Sequence, residues 1–211
     1  MSSLCISSDF SDFYDYLNNK SSPIRYDRQL SRCRQRGVAL KFLRTLGIKT
    51  IDIQPVSQYI ESDGPLVVYT DIRGHNGSGK RIETVAEARL LHENCIASRL
   101  LSLDELLTMK FIQIGKQRYT LYFKKSKEDH PLSVGTLVDI KRAPDEYNRV
   151  IGLPIFSIDY ISHNNDVLAT DFNEVESLER YKMNHYISAE ETVTEIIDAL
   201  IAYNKVNVKE N

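Results

Sequence analysis

Apolar residues recur at helical spacing from about Tyr26 to Leu46, where Leu30, Cys33, Val38, Phe42, Leu43 and Leu46 can share one broad face. Gly37 weakens the middle of this helix and Gly47 is placed as its stop. Positions 48–53 alternate in a way that suits a half-buried strand, and 54–65 reads as a connector with a short helical turn near 57–61. Leu66 to Tyr69 is a compact strand leading into a glycine-rich loop. Thr84 then caps a short helix over 85–93, and a strand follows over 95–101. Runs 109–114 and 118–124 flank Gly115-Lys116-Gln117 as a hairpin, a charged and exposed loop covers 125–131, and 132–141 is another strand. A brief helix over 145–150 precedes a last hairpin, whose strands 155–161 and 167–172 are separated by the polar cluster His163 to Asp166. Near the end, Ser188 and Glu191 form a capping box before Val193, Ile196, Ile197, Leu200 and Ile201, a structural helix. The first 23 residues, rich in Ser, Asp and Asn with interleaved aromatics, read as an arm, and 206–211 as a polar tail.

The last hairpin carries the most chemistry. A turn centred near Asn165 sets Ile161 opposite Ala169 and Asp159 opposite Asp171, and alternation puts Asn173 on the same face as Asp171. Two opposed carboxylates repel unless a cation or a proton lies between them. Oxygen-only donors of this kind suit a hard ion such as Mg²⁺ holding phosphate oxygens. A slipped turn would instead send Asp159 to the other face and leave a polar surface facing water.

The loop between Asp71 and Lys80 holds Gly74, Gly77 and Gly79 within six residues. Such spacing lets backbone N–H groups approach an anion, with Lys80 as a point charge, although an ordinary hairpin loop has the same composition. Gly74, Gly79 and Lys80 also match a P-loop except at its last position, where Arg81 replaces the hydroxyl that would bind Mg²⁺. A P-loop needs a helix at the lysine, whereas the residues after Lys80 read as a strand.

Composition narrows the classes. The chain has 211 residues, 42% of them hydrophobic, and a formal charge of −2, enough for a real core and without the basic footprint of a nucleic-acid binder. No apolar stretch approaches the roughly 18 residues of a membrane span and the start does not resemble a signal peptide, so a cytoplasmic protein without a membrane partner is expected. Cys5, Cys33 and Cys95 are too scattered for a disulfide framework or a zinc cluster, and Cys33 and Cys95 read as small core residues. Arg25, Arg28, Arg32, Arg34 and Arg36 crowd one segment, either as a solvated face balanced by the acidic arm or as contacts to a phosphate or carboxylate. None of the five histidines, His75 in the loop included, has an evident triad partner.

"LPIFSIDYI" followed by "DVLATDFNEV" resembles the metal-binding end of the ATP-grasp superfamily, and the order of elements over 65–175 resembles the same fold. The resemblance implies an α+β chain of mostly antiparallel sheets with flanking helices and a nucleotide cleft between two lobes. It also implies a reduced N-terminal region over 1–64 and an ATP-grasp-like domain over 65–211. Asp159, Asp171 and Asn173 would be the Mg²⁺ ligands, with Asp171 where the family more often has Glu. ATP phosphates would meet Gly74, Gly77, Gly79, Lys80, Lys110, Lys124 and Lys141, with Lys80 and Arg142 as catalytic cations. The implied activity is that of a carboxylate–amine ligase: ATP converts a carboxylate, free or in a peptide, to an acyl phosphate that an amine or another nucleophile attacks. The chain departs from the family at Tyr69, where lysine is common, at Lys110, where arginine is common, and at the hinge Ala97-Ser98-Arg99, which lacks acidic or amide residues. Tyr69 and the hinge suit an alternative, a non-catalytic binding or assembly protein, and a weaker one is a P-loop kinase-like protein using Lys80 and Asp159. The sequence leaves homo-oligomerisation open.

Overall fold

The computed structural model describes residues 36–71, 79–102, 107–142 and 155–173, with positions 191, 194, 195, 197, 198, 201 and 202. Two antiparallel sheets organise the described chain. The smaller has the order β1 (Gln54–Pro55), β4 (Ile96–Arg99), β2 (Leu66–Tyr69), β3 (Lys80–Glu83). The larger has the order β7 (Thr136–Arg142), β6 (Gln117–Lys124), β5 (Leu107–Ile114), β8 (Ile155–His163), β9 (Asp166–Asn173). Helix α1 (Arg36–Thr45) packs on β9, and α2 (Val85–His92) packs against the smaller sheet. This is the α+β, mostly antiparallel architecture the sequence predicts.

Each sheet has its own core. Phe111, Phe156, Ile158, Tyr160, Ala169 and Phe172 on one face of the larger sheet meet Ala39, Leu40 and Leu43 of α1. Val56, Tyr59, Leu66 and Val68 close on Val85 and Ala88 of α2. Full burial of side chains this size is worth about 1.5–3 kcal/mol each, so both clusters hold their sheets firmly. Residues before Pro65 take part in both cores, α1 and Ile51 in the first and Val56 and Tyr59 in the second.

Several local expectations hold. Gly47 follows α1 at φ +79° with its N–H bonded to Arg44 O, a helix stop in the left-handed region. Thr84 caps α2 by accepting from Glu87 N, and the Glu87 side chain accepts from Thr84 N in return. The β5–β6 hairpin closes at Gly115–Lys116, with Ile114 opposite Gln117. Others are corrected. Val38 is exposed, and Ala39, Leu40 and Leu43 form the buried stripe of α1. Positions 48–53 do not form a strand; a single parallel bridge joins Thr50 to Ala169, because Ile51 N and Lys49 O use only the two backbone groups of Ala169. The connector contains β1 and two short 3₁₀ turns, Val56–Gln58 and Glu61–Asp63. Lys125, assigned to an exposed loop, is buried, because it continues the inward alternation of Tyr119, Leu121 and Phe123. The expected helix at 145–150 and the N-terminal arm lie outside the described residues, as do Cys5 and Cys33. Among the described residues no helix is long and apolar enough to cross a membrane.

Candidate functional site

The β8–β9 hairpin sets Asp159 opposite Asp171, and it does so through two offsets that cancel. The turn is the two-residue pair Asn164 and Asn165, both at positive φ, with His163 opposite Asp166. Asparagine tolerates this left-handed pair well, which fits the turn that follows strand twist. Ile161 therefore faces Leu168, and not Ala169 as a turn centred on Asn165 predicts. A register irregularity between Asp159 and Tyr160 then leaves Thr170 as an extra residue, and beyond it the pairs are Asp159 with Asp171, Ile158 with Phe172 and Ser157 with Asn173. Without the extra residue Asp171 would share a face with the core. With it, Phe172 enters the core and Asp171 and Asn173 lie on the opposite face.

A row of charge crosses the larger sheet at this level. Lys110 of β5 pairs with Asp159 in register, and its ammonium lies 3.0 Å from Asp159 Oδ1. That buried oxygen accepts no hydrogen bond, so the contact is an ion pair off the hydrogen-bonding line. Asp171 is held from α1: Arg36 Nη2 donates to Oδ2 at 2.8 Å and Nη1 donates to Thr170 O at 2.5 Å. The Arg36 guanidinium also lies 4.8 Å from the centroid of the Tyr69 ring in the smaller sheet. Tyr69 is buried and shares a hydrogen bond with Ser98 Oγ at 3.1 Å. Burial pushes the Tyr69 hydroxyl up, with Arg36 and the Ser98 bond opposing. The ring thus supports a cation from the side of the smaller sheet.

Lys80, first residue of β3, is half-buried and brings the smaller sheet to the same place. Burial lowers its pKa from the ordinary 10.5, Arg36 and Lys125 lower it further, and Asp171 and Asp159 raise it. Lys125 is buried, its ammonium donating to Pro131 O at 2.5 Å, and burial lowers its pKa as well. Arg36, Lys80 and Lys110 therefore gather around two carboxylates, with Lys125 close enough to Lys80 to act on its charge. This excess of cations in a partly desolvated place favours a polyanion.

The other expected contacts fall elsewhere or outside the description. Lys124 is exposed at the end of β6. Lys141 is exposed on the edge strand, paired with Asp139 at 3.0 Å and 5.3 Å from the Tyr122 ring centroid, and it is registered opposite Thr120 on the face away from Asp159. Arg142 is registered opposite Tyr119. Gly74, Gly77 and His75 lie outside the described residues. Gly79 adopts φ +71° and closes the neck of the β2–β3 hairpin, its carbonyl accepting from Thr70 N at 2.7 Å and Thr70 Oγ1 at 3.1 Å. The strand at Lys80 removes the P-loop reading, because a P-loop lysine opens a helix. Among the described residues, Lys125 is a cation the sequence does not single out, and Arg36 is one it offers only within a cluster of five. Lys125 was visible as the next inward position after Phe123, and for Arg36 the only signal was its membership of the arginine cluster.

Donor chemistry fits a hard cation. Mg²⁺ takes oxygen ligands, keeps several waters and is commonly held by one or two carboxylates with substrate phosphates. Asp159, Asp171 and Asn173 supply such oxygens on one face, and the buried Asp159 Oδ1 has no hydrogen bond to give up. Among the described residues no group of three His, Cys, Asp or Glu side chains forms a metal cage.

No protein-family model matches the sequence, and no curated protein matches it. Solved structures do match by fold. The RiPP-associated ATP-grasp ligase of Chryseobacterium gregarium, in complex with ADP and a leader and core peptide, superposes with a TM-score of 0.62 at 11% identity, covering 91% of this chain and 67% of that one. The ATP-grasp ligase PsnB, complexed with a phosphomimetic variant of its minimal precursor, Mg and ADP, gives 0.56 at 15% identity, covering 83% of this chain. D-alanine–D-alanine ligase from Bacillus anthracis, complexed with ATP, gives 0.55 at 13% identity over 83% of this chain and 68% of that one. The present chain spans 60% of the length of PsnB. The chain has the ATP-grasp fold, with Asp159 and Asp171 side by side on its larger sheet.

Proposed function

We propose that the protein is an ATP- and Mg²⁺-dependent ligase that activates a carboxylate, free or in a peptide, as an acyl phosphate for attack by an amine or another nucleophile. The observation that carries this reading is the gathering of Arg36, Lys80 and Lys110 around the paired acids Asp159 and Asp171, with Lys125 near Lys80. Asp159, Asp171 and Asn173 are the ligands for Mg²⁺, which when bound neutralises phosphate charge and polarises the phosphoryl group. Lys80 and Lys110, with Arg142 as a further candidate, stabilise the charge spread over the transferred phosphoryl oxygens. Such preorganised charge is the main catalytic demand of phosphoryl transfer. Gly74, Gly77 and Gly79 carry the loop that covers the phosphates, while Lys124 and Lys141, exposed on the larger sheet, contribute less than Lys125. The peptide-bound neighbours PsnB and the Chryseobacterium ligase support a peptide as the carboxylate source.

Calorimetry with MgATP tests the reading. Heat of binding is expected for the native chain, with at least about a tenfold loss of affinity in Asp159→Asn and Asp171→Asn, since each removes a charged ligand. Neither heat nor a melting shift at millimolar MgATP would reject it. A second reading, nucleotide binding without turnover, is favoured by the Arg36–Tyr69 stack at the position of the family lysine. MgATP binding without ADP release across a panel of carboxylates and peptides would select that reading.

A further inference from the structure

We propose that Arg36 is an internal counter-ion that competes with the divalent metal for Asp171, so that the site accepts metal together with a polyphosphate and resists metal alone. The inference rests on the ligase reading and concerns how its metal is admitted. Arg36 is held from three sides: by Asp171 Oδ2, by Thr170 O and by the face of Tyr69, and it is only 8% exposed. The surface pair of Arg44 and Asp52 is a useful contrast, since its side chains are 43% and 97% exposed and such pairs contribute little. A buried guanidinium against a partly buried carboxylate is different: Arg36 has lost nearly all its water and Asp171 much of it, so withdrawing the carboxylate strands the cation.

A bare divalent cation on Asp171 would add two positive charges beside Arg36, within range of Lys80 and near Lys110. Repulsion from the guanidinium weakens that binding. A polyphosphate entering with the metal brings several negative charges, satisfies Arg36 and the lysines, and releases Asp171 to the metal. Metal and nucleotide are then coupled through one side chain, with opposite signs for the two ligands. Removing Arg36 helps bare metal and hurts MgATP, whereas loss of a packing residue would weaken both.

The experiment titrates Mn²⁺ alone into the full chain, reading free Mn²⁺ by its electron paramagnetic resonance signal, and measures MgATP affinity by calorimetry in parallel. The native chain is expected to bind bare Mn²⁺ only in the millimolar range. Arg36→Gln is expected to bind it at least about tenfold more tightly, a factor that one nearby charge readily supplies, and to bind MgATP more weakly. Arg36→Lys, which keeps the charge, should stay near the native value for Mn²⁺. Micromolar binding of bare Mn²⁺ by the native chain overturns the proposal, and that measurement needs no variant to fold. Unchanged or weaker Mn²⁺ binding in folded Arg36→Gln overturns it too. Where the native chain binds MgATP and Asp171→Asn weakens this, either of these Mn²⁺ outcomes sinks the counter-ion alone and leaves the ligase reading standing; absence of MgATP binding sinks both.

Discussion

Replacing Gly79 by alanine probes the neck of the loop that delivers Lys80, and the structure supplies its own control. Gly79 and Gly47 share nearly the same left-handed backbone, φ +71° and +79°. A Cβ on Gly47 meets nothing within 4 Å, whereas on Gly79 it falls 2.5 Å from Asp71 Cβ and 2.8 Å from Asp71 N. Gly47→Ala should therefore cost only the left-handed strain, about 1 kcal/mol. Gly79→Ala incurs the same strain and must also push Asp71 backbone aside, an overpacking cost of about 1–3 kcal/mol, for a total of about 2–4 kcal/mol. The move stretches the bonds from Thr70 to Gly79 O and displaces the adjacent Lys80. Urea denaturation of the two variants reads the difference directly, and MgATP calorimetry should show affinity falling for Gly79→Ala and not for Gly47→Ala. Equal midpoints for the two variants would refute the claim that backbone contact with Asp71 shapes this neck.

Other expectations follow from the same geometry. Lys125→Met should weaken MgATP binding several-fold while Lys124→Met leaves it unchanged, since only the former belongs to the cation group around Lys80; calorimetry showing the reverse order would contradict the strand-face argument. Tyr59, whose hydroxyl donates to Ala97 O at 2.8 Å, has its pKa pushed up to about 12 by burial, with Tyr69 and Asp52 adding to it. The neutral phenol is thus favoured in the folded chain. Its contribution to stability is complete below pH 10 and is lost as pH rises from 10 toward 12. Urea midpoints across that window should fall more for the native chain than for Tyr59→Phe, which is itself about 1–2 kcal/mol less stable because Ala97 O loses its donor.

The path from sequence to site shows which physics is local. Strand alternation, the polar turn and the capping box act over a few residues, so both hairpins, the Thr84 cap and the Gly47 stop were legible directly. Pairing of Asp159 with Asp171 was legible too, but the turn lies half a step from its expected centre and the extra residue Thr170 restores the match. Hydrophobic pattern alone does not reveal a bulge, because it depends on which residue the neighbouring chain can leave unpaired. Here Ala169 is the residue bonded to Lys49 and Ile51.

Cations were harder to assign. Five arginines in a dozen residues look alike in one dimension, and what Arg36, the one of them among the described residues, meets is a carboxylate 135 positions away and a ring on the other sheet. Lys124 and Lys125 differ by one position, yet alternation exposes one and buries the other. Sequence by itself determined the antiparallel hairpins, the two helices described beside them and the pair of acids, because backbone geometry and side-chain period dictate these. Tertiary structure decided which cations answer those acids, because ion pairing depends on distance through space: the packing of α1 on β9 brings in Arg36, and the start of β3 brings Lys80 close enough to feel both acids.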